Sequence, residues 1–461
     1  MRALFLHVEL FAIMILSLGC SVHDVQHHPR NEINVTCSYS NGAPKAPDTQ
    51  DAWYHDFNDT RLHLLIETAL TQNYDVKQAI ARVKQSRALA RISDASDMPM
   101  LDFDAGGTYR FEKDRERKTY DVGLSLAWEA DLFKRLENEA LADTLEAQAR
   151  AEELQALRLA LSVEVAQAYY GVMAARNSLE LLNEQVRLDE HYLELVMLRF
   201  QNGVGTTVEV LQQKSQLAQS ESLIPTFKAR LRSNENRLDV LLGAIPDGVN
   251  RLDDIRPHLD VPVAQNIGIP SQLLQRRPDL RAIERRLVAS DARIAVAIAQ
   301  RLPSLRLGAS LYRSDSVNYS GVLGIVSASF IQPLLDWGIR EAEVKRNRAL
   351  YEEQIAAYAA RYLLAIEEVE NNLYAQMQQR DYLERLEARR AILQLTVEEA
   401  QAQYLQGISD YLPVLNALEA LDETERMMVQ ARFDLITYRL TLYRALGSSV
   451  SLNSTTKDPN P

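Results

Sequence analysis

The chain has 461 residues, of which 46% are hydrophobic and 25% are charged, with only 17 glycines and 15 prolines. This composition excludes a collagen-like or disordered protein and allows long uninterrupted helices. The formal charge is −12, from 51 Lys and Arg against 63 Asp and Glu. Most of the surface therefore repels phosphate, which excludes nucleic acid as a partner.

Residues 1–19 are predicted to be an export signal, because Arg2 is followed by Ala3–Gly19, which is apolar apart from His7, Glu9 and Ser17 and is too short for a membrane-spanning helix. The segment ends in Leu18-Gly19-Cys20, which resembles the lipobox of bacterial lipoproteins. The sequence thus predicts a covalent lipid on Cys20 and no other cofactor. A cleaved secretory signal and an uncleaved anchor are the alternatives.

Residues 20–52 are predicted to form an N-terminal arm. The only other cysteine of the chain, Cys37, lies in this arm, so a disulfide framework is excluded. His23, His27 and His28 are interpreted as parts of a polar spacer, and no metal site is predicted. After the signal, no apolar stretch reaches the roughly eighteen residues of a spanning helix, so strands would have to make any membrane crossing.

The remainder is an internal duplication, in which matching residues lie 204 positions apart. Pro99 matches Pro303, Tyr170 matches Tyr374, and Gly203 matches Gly407. The predicted domains are the first repeat at 53–247, a linker at 248–270, the second repeat at 271–447 and a C-terminal tail at 448–461.

Each repeat begins with an amphipathic helix and a β-hairpin. The helices are predicted over 61–96 and 271–300, with interruptions near Asn73 and at Pro278. Alternation of apolar and polar residues then predicts strands at about 100–128 and 305–332. The charged segment 110–120 is predicted to be a solvated loop.

Two very long helices follow the hairpins, at 136–201 and 340–406, each roughly 100 Å long at about 1.5 Å per residue. Both are predicted to end at a glycine turn, Gly203 or Gly407, where glycine supplies a left-handed conformation. Returning helices are predicted over 207–242 and 411–446.

Neither the strands nor the long helices can bury their apolar surfaces within one chain. Membrane barrels begin at about eight strands, so two chains would supply eight and three would supply twelve. Short hairpins also occur in soluble α+β proteins, which is the alternative. Apolar residues such as Leu154, Leu161 and Val165 favour lateral helix packing, either around a hollow cylinder or in a solid coiled coil.

Several segments of the chain resemble the outer-membrane efflux proteins of Gram-negative bacteria, which are the TolC-like outer-membrane factor channels, and specifically their lipoprotein branch. The resemblance covers about residues 53–447. It depends on Trp53–Ile66, Ala79–Val83, Pro99-x-Leu101, Trp128–Phe133, Ile269–Arg281 and Gln332–Gly338. The most specific part is Arg276-Arg277-Pro278-Asp279, which is interpreted as a structural helix break.

The resemblance implies a mainly α-helical fold with a transmembrane β-barrel part, in a homotrimer with a twelve-stranded barrel in the outer membrane and a twelve-helix barrel in the periplasm. It implies an exit duct for small molecules such as drugs. The partners would be a periplasmic adaptor, or membrane fusion protein, which contacts the turns at Gly203 and Gly407, and an inner-membrane pump of RND type. An exit duct of type I protein secretion and a periplasmic coiled-coil scaffold are the alternatives.

The resemblance also locates a gate in the returning helix of the second repeat. The family often has carboxylates six and nine positions after the turn glycine, and here these positions are Pro413 and Asn416. The implied gate therefore consists of Leu412 and Asn416, with charge from Asp410 or Glu419. The sequence contains no phosphate-binding, zinc-protease or serine-hydrolase motif, so it predicts no enzyme.

Overall fold

A computed structural model describes residues 22–26, 52–112, 115–249, 252, 273–316, 319–448 and 450. The predicted signal at 1–19, Cys20, His27, His28 and Cys37 lie outside the described residues. The same holds for most of the predicted arm, linker and tail, so these domain boundaries stay predictions.

The first repeat has the predicted order of elements. After a short 3-10 helix, Trp53–Phe57, the elements are α1 Thr60–Gln72, α2 Tyr74–Ala95, β1 Met100–Glu112, β2 Arg115–Ala130, α3 Arg135–Gln201 and α4 Thr207–Leu241. The break between α1 and α2 falls at Asn73, whose side-chain Oδ1 accepts a hydrogen bond from the backbone N–H of Asp75 at 2.8 Å. Asn73 therefore caps α2.

The second repeat has the same order at the same offset. Its elements are α5 Leu273–Arg276, α6 Pro278–Ala299, β3 Ser304–Ser316, β4 Tyr319–Ile331, α7 Ile339–Leu405 and α8 Leu412–Ala445. The long helices α3 and α7 both have 67 residues. Among the described residues, no helix combines the length and apolar character that crossing a membrane requires.

Equivalent residues of the two repeats make equivalent contacts at the helix breaks. The Asn73 side-chain nitrogen donates to the Leu241 carbonyl at 3.0 Å, and Arg277 donates to the Ala445 carbonyl at 3.0 Å. Arg277 also donates to Glu368 at 2.6 Å. The structural interpretation of the Arg-Arg-Pro-Asp block is thus confirmed for Arg277, which joins the helix break to the end of α8.

The four strands form one antiparallel sheet in the order β1-β2-β3-β4. Leu124 of β2 lies opposite Phe103 of β1 and Leu311 of β3. The last strand of the first hairpin, β2, thus pairs directly with the first strand of the second hairpin, β3. The two hairpins therefore form one continuous sheet.

The predicted loop over 110–120 is wrong in extent. β1 continues to Glu112 and β2 begins at Arg115, with Arg110 opposite Arg117. The strands continue through the charged residues, because strands pair through backbone N–H and C=O groups, and charged side chains do not prevent these hydrogen bonds.

The chain divides into two compact units, each with contributions from both repeats. Among the described residues, the first unit contains 22–26, Ala79–Leu154 and Asp279–Tyr362, and the second contains the other described segments. The core of the first unit includes Ala142, Leu145 and Val288, against which Val25 packs.

The core of the second unit includes an aromatic cluster. Trp53 stacks on Tyr443 with ring centroids 5.3 Å apart, and its indole N–H donates to Ser162 at 3.1 Å. The Tyr443 hydroxyl donates to Asp56 at 2.8 Å. The 3-10 helix is therefore held by both packing and hydrogen bonds.

Candidate functional site

The sheet has one apolar face that is exposed to solvent in the single chain. Alternate residues of each strand share this face, and the cross-strand register places apolar residues opposite each other. Phe103 is 69% exposed and Val326 is 88% exposed. The exposed apolar residues of this face are Leu101, Phe103, Tyr109, Phe111, Tyr120, Val122, Leu124, Leu126, Leu311, Val322, Val326 and Phe330. An apolar patch of this extent marks a surface that meets lipid or another protein.

The opposite face of the sheet is largely polar. It includes Asp102, Asp104 and Arg306, and Ser125 donates a hydrogen bond to Asp104 at 2.6 Å. The sheet is thus amphipathic, with its apolar face exposed rather than packed on a core. Alternation of lipid-facing apolar and inward polar residues is typical of strands in outer membranes.

The two long helices end at turns of the same geometry. Gly203 and Gly407 have φ angles of 75° and 74°. At the first turn, Gly203 N–H donates to the Phe200 carbonyl and Val204 N–H to the Arg199 carbonyl, and the second turn repeats this pattern. The predicted left-handed glycines are therefore confirmed, while their contact with an adaptor stays a prediction.

The three predicted gate residues lie together at the start of α8 and are exposed. Leu412 is 47% exposed, and Asp410 and Asn416 are also exposed. Asn416 and Glu419 follow Leu412 at helical spacing, so they share its exposed side of the helix. Leu412 is therefore not packed within the single chain, but no contact made by these residues tests the gate.

Two buried tyrosines anchor the other side of this turn. The Tyr411 hydroxyl donates to Gln213 of α4 at 2.6 Å, and the Tyr404 hydroxyl donates to Glu209 of α4 at 3.1 Å. The Arg199 guanidinium lies 4.3 Å from the centre of the Tyr404 ring. Burial raises the pKa of Tyr404 to about 12 and raises that of Tyr411 further. Both hydroxyls therefore stay protonated donors at neutral pH.

Two buried carboxylates lie near these tyrosines, on different helices. Asp189 of α3 is 3% exposed, and Asp422 of α8 is 9% exposed. Asp189 accepts hydrogen bonds from Ser220 at 2.6 Å and from Gln213 at 3.3 Å. Burial and the nearby charge of Asp189 raise the pKa of Asp422 from 3.8 to about 7. Burial likewise raises the pKa of Asp189, and its hydrogen bonds oppose this effect.

The match to a known family covers both repeats. The model described as "Outer membrane efflux protein" matches residues 65–244 and 269–448, which together exceed half of the chain. The chain belongs to the outer membrane efflux protein family. Membership assigns it to the outer membrane and to a family of channel proteins, and the two matched ranges correspond to the two repeats.

Relatives and solved structures agree with this family over nearly the whole chain. Nodulation protein T of Rhizobium leguminosarum bv. trifolii is 28% identical over 454 residues, covering 95% of this chain and 96% of the relative. The cation efflux system protein CusC of Escherichia coli strain K12 is 26% identical over 452 residues, covering 95% and 98%. The solved structure of the outer-membrane channel OprN has a TM-score of 0.84 at 26% identity, covering 93% of this chain and 99% of OprN.

Sequence reasoning missed the buried carboxylates and tyrosines of this family member. Signals for the carboxylates were present, because Asp189 matches Leu393 and Asp422 matches Ala218 at the offset of 204. A polar residue that replaces an apolar one at an equivalent helical position indicates a specific role. Tyr404 and Tyr411 carry no such signal, since buried tyrosines are common in any helical core.

Proposed function

We propose that the chain is the exit duct of a tripartite efflux system, which carries small molecules out through the outer membrane. The observation that carries this proposal is the amphipathic sheet, whose apolar face is exposed and whose reverse face is largely polar. A soluble scaffold has no use for such a face, whereas a channel needs lipid on one side and water on the other.

The sheet also supports a trimer. Within the described residues, β1 pairs only with β2 and β4 pairs only with β3, so each outer strand has one edge without a strand partner. An open edge cannot face lipid, because its backbone groups would lack hydrogen bonds. Three chains with four strands each would close a barrel of twelve, well above the minimum of about eight.

The gate is proposed at the start of α8. Leu412 and Asn416 project from a helix that buries Val414 and Leu418 on another side. An exposed stripe on an otherwise packed helix is available to meet its symmetry copies in a trimer. Leu412 would then form an apolar constriction, with Asp410 supplying charge beside it.

The partners proposed are a periplasmic adaptor at the turns of Gly203 and Gly407 and an inner-membrane pump of RND type. The turns carry exposed apolar side chains, namely Val204 and Ile408, which suit contact with the tip of another helical hairpin. CusC of E. coli is named as part of a cation efflux system, which supports small solutes as cargo.

We also propose that a lipid on Cys20 anchors the chain. The described residues 22–26 begin just after Cys20 and are held within the first unit. His23 Nε2 lies 2.7 Å from Asp291 Oδ1, and the backbone N–H of Gln26 donates to Asp291 Oδ2 at 2.8 Å. Mass spectrometry of the mature N-terminus tests this, and an unmodified Cys20 would refute it.

The main experiment measures single-channel conductance of the detergent-purified protein in planar bilayers, with its oligomeric mass measured in parallel. Discrete conductance steps from a trimer are expected. A non-conducting monomer or dimer would contradict the duct and favour a coiled-coil scaffold. Export of small dyes by cells that carry the chain, without export of a protein substrate, distinguishes efflux from protein secretion.

A further inference from the structure

Asp189 and Asp422 form a buried acidic pair that no cation neutralises directly. In the described part of the chain, neither carboxylate forms an ion pair. Arg426 acts on both electrostatically, but its guanidinium donates to Gln185 at 2.7 Å instead. Two buried carboxylates that influence each other and lack a cation partner cannot both ionise without a large penalty.

The elements around this acidic pair supply amide and hydroxyl groups. From α3, Gln185 donates to the Asp422 backbone carbonyl at 3.3 Å. From α4, Gln213, Gln216 and Ser220 donate to Asp189. These neutral groups can hydrogen-bond to a carboxyl in either protonation state, but they add no positive charge.

The other titratable and charged groups nearby lie on three helices. Tyr192 of α3 is hydrogen-bonded with Gln401 of α7. Tyr411, directly before α8, donates to Gln213, and Glu425 of α8 accepts from Arg390 of α7 at 2.9 Å. The positive charge of Arg390 is thus paired with Glu425, which leaves Arg426 as the cation that acts on the acidic pair.

We propose that a proton held on Asp422, near the buried carboxyl of Asp189, stabilises the packing of α8 against α3 and α4, and that loss of this proton loosens α8. The proton passes from the Asp422 carboxyl to solvent, and the two carboxylates then repel each other. This inference rests on the proposed function, because it assigns pH-dependent regulation to the helix that carries the proposed gate.

The hydrogen bonds link the acidic pair to the start of that helix. Gln213 donates to Asp189 and accepts from Tyr411, so one amide joins the acidic pair to the first residue before α8. A shift of Asp189 therefore acts on the side chain that anchors the turn next to Leu412. This part of the coupling consists of two hydrogen bonds, from Gln213 to Asp189 and from Tyr411 to Gln213.

The direction of the pH dependence follows from the raised pKa of Asp422. A carboxyl with a pKa of about 7 in the folded protein and 3.8 in the unfolded chain binds its proton more tightly when folded. Its contribution to stability is therefore complete below about pH 4 and is lost as the pH rises towards about 7. We expect α8 to be tightly packed in acid and looser above neutral pH.

The test measures hydrogen exchange of peptides from α8 in the intact detergent-purified protein between about pH 6 and about pH 8, after correction for intrinsic exchange rates. We expect roughly tenfold faster corrected exchange around residue 422 at the higher pH, since one pKa unit corresponds to a factor of ten. Asp422→Asn should abolish this dependence, because the amide is neutral throughout. Glu190→Gln, which changes an exposed carboxylate next to Asp189, is the matched control.

A second variant keeps the test possible if Asp422→Asn does not fold. Asp189→Asn keeps an oxygen acceptor for Ser220 but removes the neighbouring charge, so the pKa of Asp422 falls and the transition moves to lower pH. The proposal is overturned if wild-type exchange is independent of pH, or if both variants retain the wild-type profile. Conductance recorded at the same pH values separates the two ideas, since pH-dependent exchange in a non-conducting protein would support the acidic pair and contradict the duct.

Discussion

The turns at the ends of the two helical hairpins have the same backbone geometry but are secured differently. In the first turn, Thr206 caps α4 by accepting a hydrogen bond from the backbone N–H of Glu209 at 3.3 Å. In the second, α8 begins after Tyr411 without a side-chain cap. Tyr411 is instead fully buried and bonded to Gln213 of the neighbouring helix.

This difference separates local from tertiary stabilisation. A side-chain cap such as Thr206 satisfies backbone groups of its own helix and needs no neighbour. The start of α8 depends on its contacts with α4, so it is released when those contacts change. The proposed gate in α8 would need the second arrangement, because its conformation would have to respond to surrounding helices.

The largest effect is expected for Tyr411→Ala. Removal of a fully buried aromatic side chain leaves a cavity and an unpaired Gln213 oxygen, at a cost of about 3–5 kcal/mol. Native-state hydrogen exchange should show a lowered opening free energy for the first turns of α8 and little change at the start of α4. Equal changes at both helix starts would contradict the distinction between the turns.

The glycine turns should respond alike. An alanine Cβ would meet nothing within 4 Å at Gly203 or Gly407, so only the left-handed backbone opposes it. Gly203→Ala and Gly407→Ala should each cost about 1–2 kcal/mol, measured by exchange in the adjoining helix ends. A clearly larger loss at one turn would show that its geometry carries a further constraint.

Removal of the side-chain cap should have a smaller effect, which is confined to the first turn. Thr206→Ala should lower the stability of the start of α4 by about 1 kcal/mol in the same exchange measurement. The equivalent residue of the second turn is Asp410, and Asp410→Ala should change exchange in α8 by less than about 0.5 kcal/mol, because no cap is lost. A large effect of Asp410→Ala would reveal a cap in the assembled protein.

The smallest effect on stability, but a large effect on transport, is expected for Leu412→Ala. Leu412 is exposed in the chain, so its truncation should change local stability by less than about 0.5 kcal/mol. Single-channel conductance should rise, because the proposed apolar constriction would be widened. The control is Val208→Ala, which changes the equivalent exposed residue of α4 and should leave conductance unchanged. Unchanged conductance in Leu412→Ala would show that Leu412 is not part of the gate.

The helices were predictable from sequence because their signals are local. The near absence of Gly and Pro over 136–201 and 340–406 predicts the long helices within a residue or two of their observed ends. Gly203 and Gly407 mark the turns because few other residues adopt a left-handed backbone without strain. The offset of 204 added a second, independent copy of each of these signals.

The strand ends and the buried polar contacts were not predictable in the same way. Side-chain charge suggested a loop at 110–120, whereas backbone pairing with the partner strand decides where β1 ends. The pairing of Asp189 with Asp422 joins residues far apart in sequence, on helices whose rotation is fixed by the whole bundle. Only the folded arrangement reveals that both side chains are buried together.

The uninterrupted length of α3 sets a rule for insertions and deletions. Each residue turns an α-helix by about 100°, so deletion of one residue between Gln155 and Val196 would carry Val196, which is fully buried, to another side of the helix. Deletion of seven residues would restore its direction to within about 20°. The tolerated changes of length in this helix are therefore those close to a whole number of turns, so the spacing of its buried residues is as restrictive as the identity of any buried side chain.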